Sequence, residues 1–224
     1  MSIALCRRHR RPDVVVANTT RPTVKGPHIA PGPVRASTVA LAVAVGLLAA
    51  GCGGGNGKAE PAPLVSKTFV SFGDSYVRAA EPGANFGKNT ELRVDGQPPV
   101  RAYLEFQPFG LSGKIVSATL RFYPLSTSND GLQVRSTSGS WSENRITFGN
   151  APAVGKVIGL SGSLSKGHWR SIDVKGLVRS PTETVRMALV ALGPTEIALA
   201  SREMSNRAPQ LIVETRRVEG SAAG

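Results

Sequence analysis

From Lys67 onward the chain alternates apolar and polar positions in short runs. Around Tyr103–Phe106, Ala102, Leu104 and Phe106 fall on one face, and Arg101, Tyr103 and Glu105 on the other. Over Ser117–Tyr123, Ala118, Leu120 and Phe122 face one way while Thr119, Arg121 and Tyr123 face the opposite way. Leu132 and Val134 then alternate with Gln133 and Arg135. A period of two is the mark of a strand with one buried side. Further strands are predicted at Lys67–Val70, Ser75–Arg78, Glu91–Val94, Trp169–Val174, Thr184–Leu192, Glu196–Ala200 and Gln210–Thr215. Pro-Gly, Asp-Gly and Gly-Pro pairs and Ser/Asn/Gly clusters punctuate them as turns. Only Asp173–Ser180 has room for a helical turn, and Pro181 stops it.

Many short strands without an amphipathic helix predict an all-β domain built from two packed antiparallel sheets or a closed barrel. This domain spans 67–217, with a disordered tail over 218–224. About 150 residues suffice to bury roughly two-thirds of the unfolded chain's surface, so a single domain is expected.

The segment before it has a different pattern. Val39–Ala50 is an apolar run closed by Gly51-Cys52 and followed by Gly53-Gly54-Gly55. A basic lead, a short apolar run and small residues before a cleavage point describe an export signal. The run is too short for a bilayer core, which takes about 20 residues. Small residues ending on a cysteine resemble the lipobox of bacterial lipoproteins, which assigns lipidation to Cys52 and makes it the mature N-terminus. Residues 1–51 are thus read as leader and signal, and 52–66 as a Gly/Pro tether. Residues 7–35, rich in Pro and Arg, read as disordered, and the length of this leader suggests a start of translation near Val34. The expected location is outside the cytoplasm, membrane-anchored or extracellular. Contact with the membrane is expected through the lipid alone.

Charge and cysteine content narrow the reading. Both cysteines, Cys6 and Cys52, precede the domain, so an ordinary core must hold it without a disulfide. The formal net charge is +12. Half of it resides in residues 1–51, and the exported part has no basic run of the kind nucleic acid attracts.

One short string suggests an enzyme. Val70-Ser71-Phe72-Gly73-Asp74-Ser75-Tyr76 resembles the first block of GDS-type lipases and esterases, in which the serine attacks an ester. That chemistry needs a histidine base oriented by a carboxylate. His168 is the one histidine after the signal, no Asp-x-x-His string is present, and helix-period segments for that family's α/β fold are missing. The string reads instead as turn residues bonding local backbone.

A broader resemblance runs in order along the domain. Its blocks are Asp74-Ser75-Tyr76-Val77-Arg78, Asn85-Phe86-Gly87, Leu92-Arg93-Val94-Asp95 and Arg101-Ala102-Tyr103-Leu104-Glu105-Phe106. They continue with Val116–Tyr123, Trp141-Ser142-Glu143 through Ile146-Thr147 to Asn150-Ala151-Pro152, Ser201-Arg202-Glu203 and Pro209–Val213. Together these resemble the DNRLRE-type domain, grouped as carbohydrate-binding module family ninety-six. Phe148 departs from it, standing where the family has tryptophan. The resemblance implies a jelly-roll β-sandwich on secreted or surface proteins, binding without catalysis, often beside carbohydrate-active enzymes.

A sugar-binding face needs rings for the apolar side of a pyranose and polar groups for its hydroxyls. Arginines add a two-toothed fork for a uronate carboxylate. Arg101, Tyr103, Glu105, Arg121 and Tyr123, extended by Arg135, supply this set if their strands are neighbours, and an acidic polysaccharide is the expected partner. The same residues also suit cross-strand pairs that merely stabilise a sheet. Trp141 and Trp169, at loop–strand junctions, read as plugs at the end of the sandwich. Asp74, Asn85, Asp95 and Asp130 offer loop oxygens for a structural calcium, with no EF-hand-like spacing to fix a ligand set. The leading reading is a non-catalytic surface module binding polysaccharide. A structural or adhesive protein contacting another surface protein stands second, and an esterase third.

Overall fold

A computed structural model of the chain describes residues 62–217. The leader, Cys52, most of the tether and residues 218–224 lie outside the described residues. Eleven strands form the domain: β1 (Leu64–Val70), β2 (Gly73–Arg78), β3 (Glu91–Val94), β4 (Val100–Phe106), β5 (Lys114–Phe122), β6 (Leu132–Thr137), β7 (Val154–Leu160), β8 (Arg170–Asp173), β9 (Val185–Ala191), β10 (Ile197–Ala200) and β11 (Gln210–Arg216). One sheet runs β1-β11-β5-β8 and the other β2-β4-β9-β6-β7. A two-stranded β10-β3 pair bonds to the continuation of β5, through Ala200 N–H to the Tyr123 carbonyl and Leu125 N–H to that of Ala198. Every pairing is antiparallel. The protein is an antiparallel β-sandwich whose chain crosses repeatedly from one sheet to the other, as in a jelly roll.

The alternation produces this layering. Ala102, Leu104 and Phe106 of β4 meet Ala118, Leu120 and Phe122 of β5 in one core, with Leu132, Val134, Met187, Leu189, Leu211 and Val213. Each fully buried large side chain contributes about 1.5–3 kcal/mol over leaving it exposed, enough for a core without disulfides.

Three differences from the sequence expectation have local causes. β1 begins at Leu64 rather than Lys67, because β11 is long enough to pair it as far as Arg216. β7 was not expected: Gly155 and Gly159 interrupt its pattern, and its pairing with β6 shifts register twice. Gly159 is required there, since a Cβ would lie 2.6 Å from Ile172 Cγ2. The helical turn expected over Asp173–Ser180 is a 3-10 turn at Lys175–Leu177. A second 3-10 segment, Arg202–Arg207, is capped by Ser201 Oγ, which accepts from Glu203 N–H.

Candidate functional site

The six residues expected to share one face do not. β4 and β6 belong to the five-stranded sheet and β5 to the four-stranded one, so Arg101, Tyr103, Glu105 and Arg135 are separated from Arg121 and Tyr123 by the whole sandwich. β4, β5 and β6 alternate between the two sheets, which overturns the assumption that they are neighbours.

The outer side of β4 is moreover covered. The long connection between β6 and β7 folds over it, placing Trp141, Phe148 and Ala151 on Val77, Tyr103, Ile146 and Ala188. Tyr103 is 0% exposed, and its hydroxyl donates to the Pro152 carbonyl at 3.1 Å. Burial raises its phenol pKa, with Arg101 opposing the rise. Glu105 is buried against the Arg186 guanidinium at 2.5 Å. Arg101 lies over the Phe148 ring, and Arg135 donates through Nε and Nη2 to the Gly155 carbonyl of bulged β7. These four residues hold the sheet and its cover. Phe148 belongs to that packing, so its replacement of tryptophan changes a contact within the fold. Trp141 likewise packs edge-on against Tyr103, on the outside of the sheet rather than at an end of the sandwich.

The covering loop is tied by the motif residues themselves. Asn85 Nδ2 donates to the carbonyls of Glu143 and Ile146 at 2.8 and 2.7 Å. Asn150 folds the loop on itself, accepting from Thr147 N–H at 2.7 Å and donating to the Arg145 carbonyl at 2.9 Å. Arg202 pairs with Glu143 at 2.7 Å, Arg202 N–H donates to Asp74 at 2.8 Å, and Asp74 N–H donates to Glu143 at 3.0 Å. Asp74, Glu143 and Glu203 offer carboxylate oxygens within 4.8 Å of one another. Asp74 is 1% exposed, and its carboxyl is pushed up from 3.8 to about 8. Burial is the main cause, opposed by the Arg202 N–H and reinforced by Glu203 and Glu143.

The four loop oxygens considered for calcium do not converge. Asn85 is spent on the loop, Asp95 accepts from Gln97 N–H within its own turn, and Asp130 lies against Gly193. In the trio around Asp74, Glu143 already pairs with the Arg202 guanidinium and Asp74 accepts from the Arg202 N–H, so the four loop oxygens define no calcium ligand set. Nor does the Gly-Asp-Ser string make a nucleophile. Ser75 is fully buried in β2, its Oγ donates to the Tyr76 carbonyl, and His168 lies in the loop before β8 of the other sheet.

The outer side of the four-stranded sheet is open. Arg121 sits opposite Gln210 of β11 and Ser171 of β8. Its guanidinium lies 4.3 Å from the centre of the Trp169 ring, and Tyr123 meets Trp169 edge-on at 5.4 Å. Arg207, brought in by a kink at Ser205, lies 4.8 Å above Tyr123. Trp169 and Tyr123 are half-buried and Arg207 is exposed. Among the described residues, neither Arg121 nor Arg207 pairs with a carboxylate. Two rings therefore stand beside two arginine forks with no acidic partner. Trp169 was legible in principle, because it lies just before β8 with the parity opposite to that of the buried Ile172 and Val174. Nothing in the sequence singled out Arg207.

The loop between β6 and β7 overlays the outer side of one sheet, and the other sheet bears two half-buried rings, each capped by a guanidinium that no described carboxylate pairs. The profile of carbohydrate-binding module family 96 matches residues 65–215, and the chain belongs to that family. No curated protein matches the chain.

Proposed function

We propose that this protein is an exported, lipid-anchored, non-catalytic module that retains acidic polysaccharide at the cell surface. Membership of a carbohydrate-binding family supports the glycan. The observation that carries the acidic reading is the Arg121–Trp169–Tyr123–Arg207 cluster, with both guanidiniums stacked on rings. A pyranose lying against Tyr123 and Trp169 would place its hydroxyls beside Gln210 and Ser171. A uronate carboxylate would meet the arginines in bidentate pairs. The export and anchor follow from the apolar run ending at Cys52.

A glycan array weighted toward polyuronides tests this. Salt-sensitive retention of uronate-containing glycans that disappears in Tyr123→Ala and Trp169→Ala, with folding intact, is the expected result. A well-folded domain that retains no glycan overturns the proposal and moves the reading to a protein-contacting surface module.

A further inference from the structure

The outer side of the four-stranded sheet continues well beyond the Trp169 cluster. Along β11, Leu211, Val213 and Thr215 are buried, while Gln210, Ile212, Glu214 and Arg216 turn outward. On β5, Arg121 stands opposite Gln210, Thr119 opposite Ile212, Ser117 opposite Glu214 and Lys114 opposite Arg216. The bulge between Glu214 and Thr215 absorbs an extra residue of β5, so Lys114 returns to the side that Arg121 faces. Neither edge walls this face: Thr68 on β1 and Ser171 and Asp173 on β8 are all exposed.

At the end remote from Trp169, Lys114 and Arg216 join Lys175 and Arg217 around a hollow of about 300 Å3. Among the described residues none of the four cations pairs with a carboxylate. Lys114 and Arg216 stand directly opposite each other, a register that destabilises a sheet when the charges are alike. An anion bound between them relieves that repulsion. One face thus carries two cationic stations, and the six positions from Gln210 to Arg216 put about 20 Å between them. The stretch between offers the hydroxyls of Ser117 and Thr119 and the aliphatic Ile212, with no cation. Its two acids are engaged, Glu214 by Ser117 Oγ at 2.7 Å and Asp173 by Lys175 N–H at 2.8 Å. Ligand charge is met at the two ends and ligand hydroxyls in the middle.

We propose that this face is an extended track on which a single polysaccharide chain lies along β5 and β11, with one carboxylate at each cationic station. The inference rests on the acidic-glycan reading above and adds that the site recognises a run of sugars. Bond lengths of about 1.5 Å give a 1,4-linked pyranose about 5 Å of chain, so bridging the stations takes about four or five residues. A shorter oligosaccharide meets only the rings and arginines around Trp169. Once a chain is held there, its second contact is intramolecular, and affinity climbs at the length that reaches Lys114 and Arg216.

The test is titration of residues 56–224, which contain all eleven strands, with size-fractionated oligogalacturonides from dimer to octamer. Weak binding of dimer and trimer, a gain of about tenfold or more between trimer and hexamer, and little change beyond are expected. Lys114→Gln/Arg216→Gln brings the hexamer down to the affinity of the trimer and leaves the trimer unchanged. It melts no lower than wild type, because it removes a like-charge pair. Equal affinity for trimer and hexamer overturns the track and leaves the acidic-glycan reading standing, with the site confined to the Trp169 cluster. A length gain that survives the double variant overturns it too, since the second contact then lies elsewhere. Loss of trimer binding in that variant overturns the division into two stations. A folded wild type that binds neither oligomer nor polymer defeats the acidic-glycan reading itself, and the track with it.

Discussion

Replacing Asp74 with asparagine isolates the strongest electrostatic burden in the fold. The carboxyl is 1% exposed and sits among Glu143 and Glu203, which holds its pKa near 8 against an ordinary value of 3.8. A carboxyl raised on folding binds its proton more tightly in the native state. Its contribution is therefore complete below about pH 4 and is lost as pH rises to about 8. Each pH unit in that window costs about 1.4 kcal/mol, roughly 6 kcal/mol in all as an upper bound before the cluster relaxes. Asparagine reproduces the protonated acid, because its oxygen still accepts from Arg202 N–H while its amide donates to a neighbouring carboxylate. Urea unfolding followed by tryptophan fluorescence at a series of pH values reads the difference. Wild type and Asp74→Asn should agree near pH 4 and diverge steadily, with the variant several kcal/mol more stable at pH 8–9. Parallel stability curves across that range would refute the reasoning, and a wild type that gains on the variant with rising pH would reverse its sign.

Two further substitutions test the covered face. Tyr103→Phe loses the bond to Pro152 and should cost about 1 kcal/mol, while Tyr103→Ala removes a ring from beneath Trp141 and should cost about 3–5 kcal/mol, both read by thermal or urea unfolding. Similar small losses from both would mean the loop does not seal that sheet. Gly87→Ala drives a Cβ into the Glu143 carbonyl and should destabilise by about 1–3 kcal/mol, with the Trp141 environment shifting in near-ultraviolet circular dichroism. An unperturbed Gly87→Ala would show that the clamp from Asn85 to Glu143 yields easily.

Alternation made the strands legible, because one buried face per strand leaves its mark at every second position. Ala118, Leu120 and Phe122 were assigned inward on that basis, and they face the core. Alternation distinguishes inside from outside only relative to the sheet. It does not reveal that a loop returns to cover the outside, which is why Tyr103 and Glu105 looked available. Sheet membership is set by long-range pairing, so the segregation of β4 from β5 left no local trace. Asp74 and Asn85 looked like calcium ligands, yet together with Glu143 and Arg202 they knot the loop to the sandwich. The open cluster combines Arg121 and Tyr123, both recognised from the sequence, with Trp169 and Arg207, which only the fold brings to them.

The most direct test of the glycan-binding account is isothermal titration of residues 56–224 with a polyuronide, comparing wild type with Arg121→Gln/Trp169→Ala. The account predicts saturable, salt-sensitive binding that the double variant abolishes while its melting temperature stays near that of wild type. Binding that survives the double variant unchanged would contradict it.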